Sequence, residues 1–317
     1  VCDNHPMTHL EAPPEPWPPG SSATRSRTPL GRLAARLLLQ RIAGPDAAAV
    51  RQRIHGTPGP RWFPRNGPVV RVHADASMFI GGITALLVQS LHPGAMSAVA
   101  DHSGYRSDPW GRLQRTATFI ATTSFAPAPM AERTCAAVRA VHARIDGTTP
   151  AGTPYAASDP HLLRWVHVAE AWSFLEAHQR YGRRPLTRAE EDAYVDGAAR
   201  VAEELGATDV PHSRTALDQC LEGYREELDA IPAALDTVDF LLQSPPIPAI
   251  GRPAYALISR ASVDLAPAWV RDMLQLPHPS PGAAHRGGRL ATRVIRWALD
   301  SAPPPRREGT ESPSQSQ

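Results

Sequence analysis

The sequence predicts an all-α protein with a single helical domain. Three observations carry this. Apolar residues recur at helical spacing almost throughout residues 28–301. Caps and stop signals punctuate that pattern at helix-length intervals. Strand signals are nearly absent, with Val69–Val72 as the one candidate.

Taken in order, Leu30 to Ile42 has helical periodicity and is stopped by Gly44-Pro45. Residues 56–68 are rich in Gly and Pro and read as a loop. Gly81 to Leu91 is apolar on all sides, as a buried helix should be, and ends at His92-Pro93. Its Gly81-Gly82 pair is expected to serve tight helix packing rather than phosphate binding. Residues 101–110 are turn-rich, and a helix is expected from Gly111 to about Thr123. The next helix is expected from Met130 to Asp146, with Gly147 as its left-handed cap. Asp159-Pro160 places an N-cap before a proline at the first helical position, and the helix should reach Tyr181. Thr187 with Glu190 is a capping box that opens a helix to Leu205-Gly206. Ser213 starts another, to about Leu228. Shorter pieces are expected at Ala233–Leu242, Tyr255–Val263, Ala268–Leu274 and Leu290–Leu299, about ten helices in all. Residues 1–27 and 302–317 are Pro- and Ser-rich tails that bury too little apolar surface to order themselves.

Composition narrows the function. The chain has 317 residues and a net charge of +2, so no broad basic field suggests nucleic acid as a partner. All its long basic side chains are arginine. Cys2, Cys135 and Cys220 are far apart and form no CxxC pair, which disfavours a disulfide framework or a cysteine zinc site. The longest apolar run, Met78 to Leu91, is too short to span a membrane. No charged-then-apolar leader opens the sequence, so a cytoplasmic location is expected. No nucleophile-elbow, zincin, P-loop or dinucleotide-binding motif is present.

Two helix faces stand out. Arg112, Arg115, Thr116 and Phe119 share one face of the helix from Gly111, with Leu113, Ala117 and Ile120 on another. A solvated arginine face is the plain alternative. On the next helix Thr134, Val138, Val141 and Ile145 form an apolar stripe, and Cys135, Arg139 and His142 a second one. A neutral imidazole ligates haem iron well, and arginine forks grip the propionates, so Arg139 and His142, one turn apart, suit a haem pocket. His167 and Glu170 lie one turn apart on the helix after Pro160. A core histidine bonded to Glu170 and a pocket role both remain open, whereas a di-iron site lacks the second motif copy it needs. His178 is expected at the surface. His73-x-Asp75 has no partner visible in the sequence, and His92 and His102 bracket a loop that would roof a pocket.

The pieces from Gly81 to Tyr181 are, in order, Gly81-Gly82 with ALLVQSLHP, DHSGYRSDPWGRLQRTATF, VRAVHARIDG and DPHLLRWVHVAEAWSFL. With the later segments to about Pro277, they resemble the MpaB/latex-clearing-protein family of haem-dependent oxygenases. The resemblance implies a globin-like helical core around haem b. It matches the family's Arg-x-x-Lys-Thr motif to Arg112-Leu113-Gln114-Arg115-Thr116, and its Arg-x-x-His motif to Arg139-Ala140-Val141-His142. His142 is then the axial iron ligand. Arg139 and Arg112 hold propionates or the pocket wall, while Arg115 and Thr116 face dioxygen. Phe119 helps to position a small apolar substrate, an isoprenoid or other unsaturated metabolite. Arg115 replaces the family's lysine and, always protonated, cannot ligate iron. The family's distal glutamate has no counterpart, since Met96 and Ser97 stand before Asp101. A carrier or sensor that binds haem or a hydrophobic ligand without turnover is the alternative.

Overall fold

The computed structural model describes residues 28–104, 106–245, 247 and 249–302. The two expected tails fall outside these residues, apart from Ala302. The described residues form fourteen α-helices and one short antiparallel hairpin, so the architecture is all-α, with more helices than expected.

The centre is a pair of crossed helices, α4 (Met78–Gln89) and α8 (Pro160–Tyr181). Their backbones meet at Gly81. A Cβ there would lie 3.0 Å from Phe174 Cδ1, 3.1 Å from Ala177 Cβ and 3.1 Å from the Ser173 carbonyl oxygen. A side chain there would force its neighbours to give by a few tenths of an ångström; Gly82 faces open space. The far end of the pair is stitched by polar groups. Trp165 Nε1 donates to the Gln89 carbonyl at 3.2 Å, and Gln89 Nε2 donates to the Val166 carbonyl at 2.9 Å. α12 (Arg252–Leu265) closes over α4, where the Ser262 hydroxyl donates to the Ile80 carbonyl and the Thr84 hydroxyl to the Ser262 carbonyl. These bonds satisfy the hydroxyls inside an apolar core that includes Ile80, Leu87, Val88, Trp165, Val168 and Leu175.

Around this pair stand α1 (Pro29–Ala43), α2 (Ala47–Gly56), α3 (Pro68–His73), α5 (Pro93–His102), α6 (Pro109–Phe125), α7 (Ala128–His142), α9 (Arg188–Leu205), α10 (Arg214–Gly223), α11 (Pro232–Leu242), α13 (Ala268–Met273) and α14 (Pro281–Asp300). The cap signals hold. Asp159 accepts from the His161 backbone N–H, and Thr187 and Glu190 form the reciprocal capping box.

Several expectations are corrected. Val69–Val72 is the body of α3, because Pro68 opens a helix whose valines are all buried; a short fully buried helix has the composition of a buried strand. α7 ends at His142, and Gly147 lies in the hairpin strand β1 (Asp146–Thr148), paired with β2 (Pro154–Ala156). His92 to His102 is a capped helix, not a loop: the His92 ring is the N-cap acceptor for the Gly94 N–H. His178 is buried and bonds the Arg184 carbonyl at 3.1 Å. Asp75 joins three segments, accepting from Arg296 Nη2 at 2.8 Å, from the Ser77 N–H at 2.8 Å and from the Arg183 N–H at 3.3 Å. Burial raises the Asp75 pKa, but the Arg296 and Ser77 donors outweigh it and hold the carboxyl below its ordinary value.

Replacing Gly81 with alanine should overpack the α4–α8 crossing and cost roughly 1–3 kcal/mol of stability. Gly82→Ala should cost nothing measurable or stabilise slightly, by improving helix propensity. Urea denaturation of both variants checks this; equal midpoints would refute the close-contact role of Gly81.

Candidate functional site

The side chains singled out in the sequence lie on α6, α7 and α8. α6 packs on α7, and both α7 and α8 pack on α9, while α8 packs extensively on neither α6 nor α7.

α6 opens with Asp108 as N-cap, accepting from the Gly111 N–H at 2.9 Å, and with Pro109 at the first position. Asp108 also pairs with Arg115 at 3.2 Å, so the Arg115 guanidinium turns back along its own helix and is exposed. Arg112 is half-buried and donates to the Ser103 hydroxyl at 2.9 Å. Phe119 is half-buried and Thr116 exposed. Thr122 and Thr123 bond back to their own helix, whereas the Thr116 hydroxyl has no such partner among the described residues. Leu113, expected to pack on the core, is exposed instead.

α7 also turns differently from expectation. Its inward stripe is Ala131, Cys135, Val138 and His142, and Val141 is exposed. The spacing i, i+4, i+7, i+11 is as regular as that of the expected stripe, but Cys135, one of the side chains most prone to burial, selects this face. His142 is therefore at the inward edge of the last turn. Burial pushes its pKa down, which keeps the ring neutral, and its Nδ1 is buried without a partner. Arg139, on the flank, bonds the Glu204 backbone carbonyl and approaches the Glu204 carboxylate at 3.7 Å. It lines an open groove of about 780 Å³ between α7 and α9, with Trp62, Arg200, Glu203 and His212. The charges there are mutually engaged: His212 lies 3.0 Å from Asp196 and 3.3 Å from Glu203, and Arg200 stacks on Trp62.

On α8, no hydrogen bond joins His167 to Glu170, which rules out the simple paired-core reading. His167 Nε2 is buried without a partner, and burial takes the ring's pKa down to about 4. Burial alone pushes the Glu170 carboxyl up to about 7, with no donor to offset it. Tyr194 of α9 is held well above its ordinary value by its own burial and by the Glu170 charge. His73, with no visible partner in the sequence, lies between the Ser124 hydroxyl at 2.7 Å and the Tyr194 hydroxyl at 3.3 Å. Burial brings its pKa down to about 3.

A second cluster was not legible in the sequence. His92, His161 and Glu227 bring ligand-type atoms within 4.8 Å of one another. Hydrogen bonding decides what they do. The Gly94 N–H donates to His92 Nδ1 at 3.2 Å, and Arg164 donates to His161 Nδ1 at 3.0 Å. In a neutral imidazole whose Nδ1 accepts, Nε2 carries the proton. His161 Nε2 thus donates to Glu227 Oε2 at 2.7 Å, whereas His92 Nε2 stands 3.9 Å from that oxygen, beyond hydrogen-bond distance, and is buried without a partner. The His161–Glu227 pair makes the cluster a carboxylate clasp between the start of α5, α8 and the turn after α10. Tyr224 reinforces it, accepting from Arg164 at 2.9 Å and donating to the His161 carbonyl at 2.8 Å. Glu227 is 66 residues from His161, and no local pattern could have joined them.

A sequence model of the family described as "ER-bound oxygenase mpaB/B'/Rubber oxygenase, catalytic domain" matches residues 70–297. No curated protein and no solved structure shows significant similarity to the chain.

Glu170 gives a pH test. Its folded pKa of about 7 exceeds the ordinary 4.5, so its contribution to stability is fully present below pH 4.5 and is lost as pH rises through 7. Glu170→Gln should therefore gain stability over the parent at pH 8 and match it at pH 4.5, measured by chemical denaturation at both pH values. A difference of the same size at both would contradict the buried, unpartnered carboxyl.

Proposed function

The chain belongs to this mpaB/B′/rubber oxygenase catalytic-domain family, and from that premise we propose a haem b-dependent oxygenase acting on a small apolar metabolite, isoprenoid or otherwise unsaturated. The observation that carries the haem reading is His142. It is the one inward-facing histidine of α7, burial keeps it neutral, and its Nδ1 is buried with no partner. A neutral imidazole with unused capacity is what an axial iron ligand needs. When bound, the haem would supply the redox chemistry that activates dioxygen.

The protein's own side chains have distinct tasks in this reading. His142 holds the iron. Arg112, half-buried on α6, and Arg139 on α7 supply the fixed positive charges that two propionates require. Arg139 would exchange its Glu204 contact for a propionate, or support the wall from where it stands. Thr116 offers a free hydroxyl on an exposed helix face, and Arg115 a guanidinium held by the Asp108 carboxylate two turns back. As donors they would stabilise negative charge that develops on oxygen. Phe119, Leu113 and Val141 present apolar surface to the substrate. His167, neutral and with a free Nε2, is a further wall residue. Glu170, its carboxyl pushed up to about 7 by burial, is a candidate proton donor. The free thiols of Cys135 and Cys220 suit the cytoplasm, the compartment we assign.

One observation favours binding without turnover: the Arg115–Asp108 pair occupies a proposed oxygen-side donor. Visible spectroscopy separates the readings. The purified protein, supplied with haem, should show a Soret band that shifts when reduced protein meets carbon monoxide. His142→Gly should lose the band and regain it with added imidazole, and the exposed-site control His212→Ala should keep it. A Soret band unchanged in His142→Gly would remove His142 as ligand, and a carbon-monoxide-insensitive band in the parent would favour the non-catalytic reading.

A further inference from the structure

Helices α1 and α14 carry a surface that the chemistry above does not use. They pack on each other, and Gly31 of α1 lies against Ser301, one turn beyond Trp297. Each helix buries small residues on its inner face: Gly31 and Ala35 of α1, and Ala284, Ala291 and Ala298 of α14. Three large apolar residues on each helix point outward. Leu30, Leu33 and Leu37 of α1 are 67%, 53% and 56% exposed, and Leu290, Val294 and Trp297 of α14 are 54%, 53% and 40% exposed. The spacings i, i+3, i+7 and i, i+4, i+7 make each trio a continuous stripe. A surface helix ordinarily hides such a stripe, whereas here a second set of large apolar residues, including Ile295 against the core, faces inward and these two trios are left outside.

The charge on the same helices is one-sided. α1 carries three arginines and no acid, and α14 carries four arginines and a single acid, Asp300, itself paired with Arg183. Arg296 is taken up by Asp75, and Arg41 stacks on Trp110. Arg32, Arg36, Arg286, Arg289 and Arg293 have no ion-pair partner among the described residues, and all are exposed. A whole-chain net charge of +2 concealed this patch, because the acids are elsewhere.

We propose that the α1–α14 face docks on the surface of an anionic lipid bilayer. Leucine, valine and tryptophan would enter the boundary between headgroups and acyl chains, while the interleaved arginines reach lipid phosphates. Arginine's long stem suits this, since it lies along apolar surface with its charge in the headgroup layer. A second copy of the chain fits poorly: a two-fold contact would set one row of unpaired arginines against another. A nucleic acid would use the arginines but leave the apolar stripe without a partner. No helix among the described residues is long and apolar enough to span a membrane alone.

Vesicle co-sedimentation of the intact chain tests this, with phosphatidylcholine alone and with about a third phosphatidylglycerol. The expected result is about tenfold or stronger binding to the anionic vesicles, reversed by high salt. Leu290→Asp with Val294→Asp, and separately Arg289→Gln with Arg293→Gln, should each abolish binding without changing the circular dichroism spectrum. Tryptophan fluorescence should shift to the blue on binding, and less so in Trp297→Phe. Three results would each overturn the proposal: no binding to either vesicle, binding that both double variants retain, or a lipid-free dimer or duplex-DNA complex that the same variants abolish while vesicles are ignored.

Discussion

The contact between α4 and α8 at Gly81 sets the geometry of the rest. With no side chain between the backbones, the two helices approach closely enough for Trp165 and Gln89 to exchange bonds with the opposite main chain. That crossing fixes the direction of α8, and with it the places where His161, His167 and Glu170 stand. The carboxylate clasp at Glu227 depends on the same crossing, because His92 follows α4 and His161 begins α8. α12 and α14 then pack on this frame, with Asp75 binding the start of α4 to the end of α14 through Arg296.

Burial has a second consequence: it silences charge. His73, His142 and His167 are all pushed toward the neutral ring by desolvation, and Glu170 toward the neutral acid. The arginines of α6 and α7 stay at the edge, where water or carboxylates reach them. A neutral interior bordered by fixed cations is a suitable environment for a large apolar group that carries acidic arms. The apolar, arginine-studded α1–α14 face has the same ingredients arranged convexly, and there they suit a lipid surface rather than a bound molecule.

Local signals proved legible and long-range ones did not. Asp159-Pro160, the Thr187–Glu190 box and the Gly81 packing role are properties of a few consecutive residues, and the structure has them as read. Face assignment on α7 failed because two stripes were equally periodic, and only the burial of Cys135 separates them. Val69–Val72 was ambiguous because a buried helix and a buried strand share one composition. The partners of Asp75, His73 and Glu227 are 221, 121 and 66 residues away in sequence, beyond any pattern a window can show. The exposed leucines of α1 were read simply as a helix, since periodicity says which residues share a face but not which face is inside.

A haem held through His142, as proposed, would lie against α6 and α7, with His167 of α8 as a further wall. Hydrogen–deuterium exchange with and without added haemin tests this most directly. Binding at His142 predicts slowed exchange around residues 111–119, 139–145 and 164–170, with the clasp at 225–228 unaffected. Unchanged exchange in all three segments, or protection confined to the groove beside Arg200 and His212, would contradict it.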